Sequence, residues 1–287
     1  LQRALGGREF DMVLLAARGS SDNAALFARY LIEIHLGIPV TLAAPSVLTR
    51  YGRRIGYENC LAVGISQSGA APDVAEVLTA LREDGHATLA ITNTADSRLT
   101  QTAEFSLLLE AGAETSIAAT KTYSTTLRAL YEMVRALGGQ LDAPKVPTDE
   151  DVEVAREAAA AVSGAAVRCS PLFALGRGYG YSTAQETALK LMECALLPCK
   201  AFSSADFEHG PKALAGPASA LISFDGEKPH LQATGAEVAV APFSEIAEES
   251  RPFFQVIFGQ WLALHASRAR GLDPDDARFL RKVTETL

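Results

Sequence analysis

The chain has 287 residues, of which 48% are hydrophobic and 21% charged, with a formal net charge of −8. That length suggests two domains of ordinary size, and the apolar share is enough for a sizeable core. The acidic balance excludes the basic stripe of a nucleic-acid surface, and no run reaches the roughly 18 apolar residues of a membrane span.

The first residue is Leu1 rather than Met, so some N-terminal sequence is expected to be absent, and no signal-peptide pattern follows it. Met12 to Ala17 is predicted as a strand, and Asp22 to Leu36 as a helix with apolar residues at helical spacing. Val40 to Ala43 and Cys60 to Ile65 are the next strands. A helix is predicted from about Asp73 to Glu83, ending at Asp84-Gly85. Thr88 to Ile91 and Phe105 to Leu109 follow as strands, then a long helix from about Lys121 to Leu137. Strands separated by helices imply a parallel sheet covered on both faces. Ligands of such sheets bind beyond the carboxyl ends of the strands, where Ser20-Ser21 and Ser66-Gln67-Ser68 fall.

The stretch Gly64-Ile65-Ser66-Gln67-Ser68-Gly69 carries the first chemical signal. An apolar strand runs into small polar residues and a helix start, an arrangement that aims N–H groups and hydroxyls at one anion. Its glycine spacing mimics a nucleotide P-loop, but Ala70-Ala71 stand where Lys and Ser or Thr would follow. A single phosphate ester is the expected guest.

Gln140 to Glu150 holds prolines and acidic residues and reads as a linker. Beyond it the pattern restarts. Leu172 to Gly178 echoes Leu14 to Gly19, an apolar strand closing on Arg-Gly, at a repeat of about 159 residues. Leu221 to Phe224 and Glu237 to Val240 read as strands. The twelve residues between them look short for a helical crossover, so either a hairpin-like departure or missing residues near 225–236 is expected. Ser182 to Leu197 is strongly helical and sets Glu186, Lys190 and Glu193 at i, i+4 and i+7, on one face. Two readings stay open: a solvated, salt-bridged face, or carboxylates tuned by a cation for acid–base work. His209, in Glu208-His209-Gly210-Pro211, is either structural or catalytic. Cys60, Cys169, Cys194 and Cys199 lack metal-ligand spacing and read as reduced, buried thiols of a cytoplasmic protein. Gly176-Arg177-Gly178 would need a third glycine where Tyr181 stands, so a dinucleotide site is a weak reading.

Taken in order, SQSG (66–69), AATK (118–121), GRG (176–178), ETALKLME (186–193), EHGP (208–211) and LRKVTET (280–286) resemble the tandem sugar isomerase (SIS) proteins. The pattern is similar to the isomerase half of glucosamine-fructose-6-phosphate aminotransferase and to stand-alone amino-sugar-phosphate deaminase/isomerases. The resemblance implies an α/β fold with two tandem doubly wound, flavodoxin-like parallel-sheet domains. These would be 1–140 and 151–272, with a linker at 141–150 and a tail at 273–287. It implies a hexose or hexosamine phosphate substrate, no metal or other cofactor, and a homodimer with the active site at its interface.

By the same resemblance, Ser66, Gln67, Ser68 and Gly69 form the sugar-phosphate loop, and Ser21 and Ala119 stand at sugar-contacting positions. Glu193 would move the proton between C1 and C2, with Glu186 and Lys190 in support. His209 would open the ring, and Lys282 would form or assist an imine. Ala71 and Ala119 replace hydroxyl residues of the synthases, and no glutaminase region lies within the 287 residues. A deaminase/isomerase acting on a hexosamine 6-phosphate is therefore expected. The isomerase part of a glutamine-dependent synthase, another phosphosugar isomerase, and a non-catalytic phosphosugar sensor are the alternatives.

Overall fold

The computed structural model describes residues 5, 7–226, 229–277, 279, 280 and 282. The chain divides into two compact units. One takes residues up to 115, residues 119–143 and Lys282, and the other takes 116–118 and 144–280. Among the described residues no helix is long and apolar enough to cross a membrane.

The first unit is a parallel sheet of β1 (Met12–Ala16), β2 (Val40–Leu42), β3 (Cys60–Ile65), β4 (Ala87–Thr92) and β5 (Phe105–Leu108). Its strand order is β2-β1-β3-β4-β5. The central strand β3 is buried at all its positions, as its unbroken apolar run requires when both faces are covered. Among the described residues the helices of this unit are α1 (Ser20–His35), α2 (Ser46–Thr49), α3 (Pro72–Glu83), α4 (Arg98–Thr102) and α5 (Lys121–Ala136). Leu14, Ala16 and Ala62 pack with Val74, Leu78 and Leu81 of α3 and Leu99 of α4. The alternate residues Val13, Leu15 and Val63 are equally buried and face the other way. On the sheet, α1 touches β1, β2 and β3, and it also packs along α5.

The second unit repeats the plan with β6 (Leu172–Gly176), β7 (Cys199–Ser203), β8 (Ala220–Ser223) and β9 (Glu237–Val240), in the order β7-β6-β8-β9. Its helices are α6 (Asp149–Arg168), α7 (Tyr179–Ala195), α8 (Ser204–Glu208), α9 (Pro229–Gln232) and α10 (Arg251–Ala269), with a 3-10 turn at Pro211–Leu214. The long helix α10 packs on both α6 and α7. Phe207 of α8 and Leu231 of α9 join Phe173, Leu175 and Leu221 in a separate cluster. The Phe173 and Phe207 ring centroids there are 5.3 Å apart. Two α/β units with parallel sheets are thus present, as the alternation of elements predicts.

Some boundaries move. Both α1 and α7 begin earlier than periodicity suggests, at Ser20 and Tyr179, because a helix's first turn carries no periodic apolar signal. Helix α6 begins at Asp149, inside the predicted linker, where Thr148 and Asp151 form a reciprocal capping box. Strands β8 and β9 pair in parallel, which overturns the hairpin alternative. Between them the described residues hold a single helical turn, Pro229–Gln232.

The internal repeat is visible in the backbone. Gly19 precedes α1 with φ 54° and ψ −130°, and Gly178 precedes α7 with φ 57° and ψ −130°. A side chain would be strained in that conformation at either place. Register repeats as well, since Leu14 pairs with Ala62 and the repeat-equivalent Phe173 pairs with Leu221. The residue just after β3 is Ser66, and its counterpart after β8 is Asp225.

Candidate functional site

In the first unit the chain leaves β1 toward one edge of the sheet and β3 toward the other. The adjoining loops diverge there, opening the crevice in which sheets of this strand order take ligands. Ser66 and Gly69 are buried, whereas Gln67 and Ser68 are half-buried. The loop is pinned to the end of β4: Ser66 N–H donates to the Ile91 carbonyl at 3.0 Å, and Asn93 N–H donates to the Gln67 carbonyl at 3.0 Å. Gly69 has φ 64°, and a Cβ there would fall 2.1 Å from Ser97 Oγ. Helix α3 then starts at Pro72 without a side-chain cap from Ala71, and in its first turn Val74 N–H donates to Asp73 Oδ1 at 2.9 Å. An open cavity of about 520 Å³ borders the loop at Ser68, Gly69, Ala70 and Arg98.

The second edge of this crevice is Arg18-Gly19-Ser20-Ser21. Ser21 is half-buried in the first turn of α1, and its N–H donates to the Arg18 carbonyl at 3.1 Å. The Arg18 guanidinium donates from Nε to Asp73 Oδ2 at 2.7 Å. Asp73 itself is buried. Burial pushes the nearby Asp22 carboxyl above its ordinary range, and Arg18 works against that rise. Neither Arg18 nor Asp73 belongs to a motif, although the repeated Arg-Gly does mark the turn.

On α7 of the second unit, Lys190 Nζ lies 3.5 Å from Glu186 Oε1 and donates a short hydrogen bond to Glu193 Oε2. Glu186 is 0% and Lys190 2% exposed, while Glu193 keeps 21%. The solvated-face reading is therefore wrong: helical spacing fixed the neighbours, and the packing around α7 removed the water. Burial alone would depress the Lys190 ammonium, but Glu186 and then Glu193 outweigh it and hold the group above its ordinary range. The cluster is thus a buried cation between two carboxylates, one of which reaches solvent.

His209 caps the C-terminal end of α8 and is exposed. Its neighbour Gly210 takes φ 141°, which leads the chain into the Pro211 turn. In the same motif, a hydrogen bond from Lys212 at 2.7 Å holds the Glu208 carboxyl below its usual value.

Lys282 lies in the first unit with its Nζ 3.1 Å from Glu114 Oε2. Glu114, which belongs to no sequence motif, also accepts from the N–H groups of Thr120 and Thr122 at 3.1 Å each. Burial raises the Glu114 carboxyl, but the bonds from Thr122, Thr120 and Lys282 together hold it below its ordinary value. Ala119 is half-buried just ahead of α5. All four cysteines are free and buried, and burial pushes Cys60 and Cys194 up to about 11 and Cys199 up to about 12. Among the described residues no group of three or more His, Cys, Asp or Glu side chains is placed to hold a metal.

Residues 10–135 match the SIS domain. The isomerizing glutamine–fructose-6-phosphate aminotransferase of Methanothermobacter thermautotrophicus is 32% identical over 307 residues, covering 96% of this chain and 51% of that protein. The chain thus spans about half the length of the curated relatives it matches. Among solved structures, a glucosamine-6-phosphate deaminase from Thermotoga maritima is similar with TM-score 0.83 and 23% identity, over 96% of this chain and 91% of that one. The C-terminal domain of glucosamine-fructose-6-phosphate aminotransferase from Francisella tularensis gives TM-score 0.78 and 23% identity, over 93% and 87%. Both likenesses speak to the fold. The domain match stops at residue 135, short of the second sheet, so it covers one SIS domain where the motifs imply two in tandem. Residues 10–135 match the SIS domain, and the two parallel sheets of the chain follow the SIS fold.

Proposed function

We propose that this chain isomerises a hexosamine 6-phosphate between aldose and ketose forms and releases its nitrogen as ammonia. The observation that carries the reading is the buried Glu186–Lys190–Glu193 cluster, whose one accessible carboxylate is suited to moving a proton between adjacent carbons. In this reading Ser66, Gln67, Ser68 and Gly69 hold the phosphate, with Ser21 and Ala119 against the sugar. His209 opens the ring, supplied across the interface of a homodimer. Glu193 then takes the proton from C2 and returns it to C1, while Lys190 fixes the carboxylate and Glu186 balances the lysine. The resulting C2 imine is hydrolysed: water supplies the ketone oxygen, ammonia leaves, and Lys282 assists at the carbonyl carbon. We assign 1–140 to the phosphate-holding domain, 141–150 to the linker, 151–272 to the catalytic domain and 273–287 to the tail.

A second reading rests on the alignment, which takes in nearly all of this chain but half of the aminotransferases. In it the same residues run the reverse chemistry as the isomerase part of a longer, glutamine-dependent enzyme.

The test is one coupled assay on glucosamine, galactosamine, mannosamine and fructosamine 6-phosphates, reading ammonia and ketose phosphate together. Equal release of both supports the proposal. Thermal stabilisation by these sugars without turnover would instead make the chain a phosphosugar sensor. Isomerisation without ammonia release would favour the second reading.

A further inference from the structure

Glu114 belongs to no motif, yet it is among the most heavily engaged side chains of the first unit. It is 3% exposed. Its Oε1 accepts from the N–H groups of Thr120 and Thr122 and from the Thr120 hydroxyl at 3.4 Å. Its Oε2 accepts from the Thr122 hydroxyl and from Lys282. Thr120 is the N-cap of α5 but makes no side-chain capping bond of its own. Glu114 therefore satisfies the helix's first donors from outside the helix.

Capping alone does not account for the lysine. The start of a helix is its positive end, and an ammonium placed there is repelled unless an anion stands between. Glu114 is that anion. Its two oxygens divide the work, one facing the helix N–H groups and the other facing Lys282.

We propose that Glu114 is a positioning residue, which fixes the Lys282 amine beside the start of α5 and so sets where that amine can meet a substrate carbonyl. The last clause rests on the role given to Lys282 above, whereas the clamp itself does not.

Glu114→Gln isolates the clamp, because the amide oxygen can still cap α5 while the charge facing Lys282 is gone. Trace acetic anhydride labelling followed by mass spectrometry reads Lys282 without any need for turnover, since the reagent acetylates the neutral amine. Glu114 Oε2 accepts from the Lys282 amine and occupies it, so Lys282 should label severalfold faster in the variant. Identical labelling in both proteins overturns the clamp. On substrate, Glu114→Gln should lower kcat with KM nearly unchanged, and should add nothing in a Lys282→Met background. Losses that multiply would show that Glu114 acts elsewhere and overturn the proposal. If labelling responds but the wild type turns over no phosphosugar, the clamp stands and the proposed activity falls. Should Glu114→Gln fail to fold, Lys282→Met must still move the Glu114 carboxyl titration upward by NMR, and an unmoved titration rejects the clamp.

Discussion

Arg18 Nε lies 2.7 Å from Asp73 Oδ2 and ties the loop after β1 to the first turn of α3, the helix that follows the Ser66–Gly69 loop. Asp73 is 2% exposed, whereas half of the arginine side chain faces water. Truncating the arginine leaves the carboxylate with the Val74 N–H of its own helix. Arg18→Met should therefore cost about 2 kcal/mol, the range for a lost charged hydrogen bond with a buried partner. Urea unfolding measures it, and an unchanged midpoint would mean that the pair contributes nothing to joining the loops.

Gly69 offers a sharper test of the proposed phosphate loop. Gly69→Ala forces a residue with φ 64° to carry a Cβ 2.1 Å from Ser97 Oγ. Ser97 must then move, and its hydroxyl caps α4 by accepting from Thr100 N–H. A loss of about 1–3 kcal/mol is expected, together with weaker binding of fructose 6-phosphate by calorimetry. Adding Ser97→Gly should recover part of the stability, because it removes the clash but not the backbone strain.

The second unit stores its largest electrostatic liability at Lys190. Lys190→Met leaves the fully buried Glu186 without the cation 3.5 Å away. Breaking a buried pair from one side costs about 3–5 kcal/mol. Pairing it with Glu186→Leu should restore most of that stability, though not activity. If the double variant is no more stable than the single one in urea, the buried-pair account is wrong.

Glu193 should separate chemistry from folding. Glu193→Gln retains an oxygen for Lys190 but can no longer take a proton. A fall in kcat of about 10²–10⁴ with little change in KM is expected of a lost general base. A variant with near-wild-type kcat would remove Glu193 from the mechanism.

The Glu114 carboxyl also predicts a pH dependence. Its folded value lies below the ordinary 4.5, so folding favours the ionised form. The associated stability is complete above the unfolded value and is lost as pH falls through the folded one. The stability gap between wild type and Glu114→Gln should therefore be constant above about pH 6 and narrow toward about pH 3. A gap of equal size at both ends of that range would contradict the assignment.

How much of this was legible in the sequence depended on how locally each feature is determined. The β3 run from Cys60 to Ile65 announces a strand buried on both faces, and the structure places it at the centre of its sheet. Strand β7 (Cys199–Ser203) lies at an edge, where Cys199 and Ala201 are buried but Lys200 is exposed. Five mixed residues carry too little pattern to be noticed. The spacing of Glu186, Lys190 and Glu193 fixed their adjacency, because an i, i+3, i+4 face is a property of the helix alone. Whether that face met water depended on the packing of α7, and α10, which packs on it, lies more than fifty residues on. Glu114 was invisible for the same reason, since its lysine is 168 positions away. Only Arg-Gly, repeated with identical ψ at Gly19 and Gly178, let a long-range relationship be read directly from the letters.

That repetition also shows where the two halves parted. After β8, in the place that Ser66 holds after β3, Asp225 accepts from Arg177 N–H at 2.8 Å and from the Ser204 hydroxyl. The second crevice thus carries a built-in anion, made by its own chain. An incoming phosphate would find the donors occupied and a like charge in its way. Under the proposed function, two turns of one backbone form, with a neutral residue beyond one and an acid beyond the other, predict a single seat for a phosphoester, so calorimetry with fructose 6-phosphate should return one site per chain although the plan of the sheets is repeated.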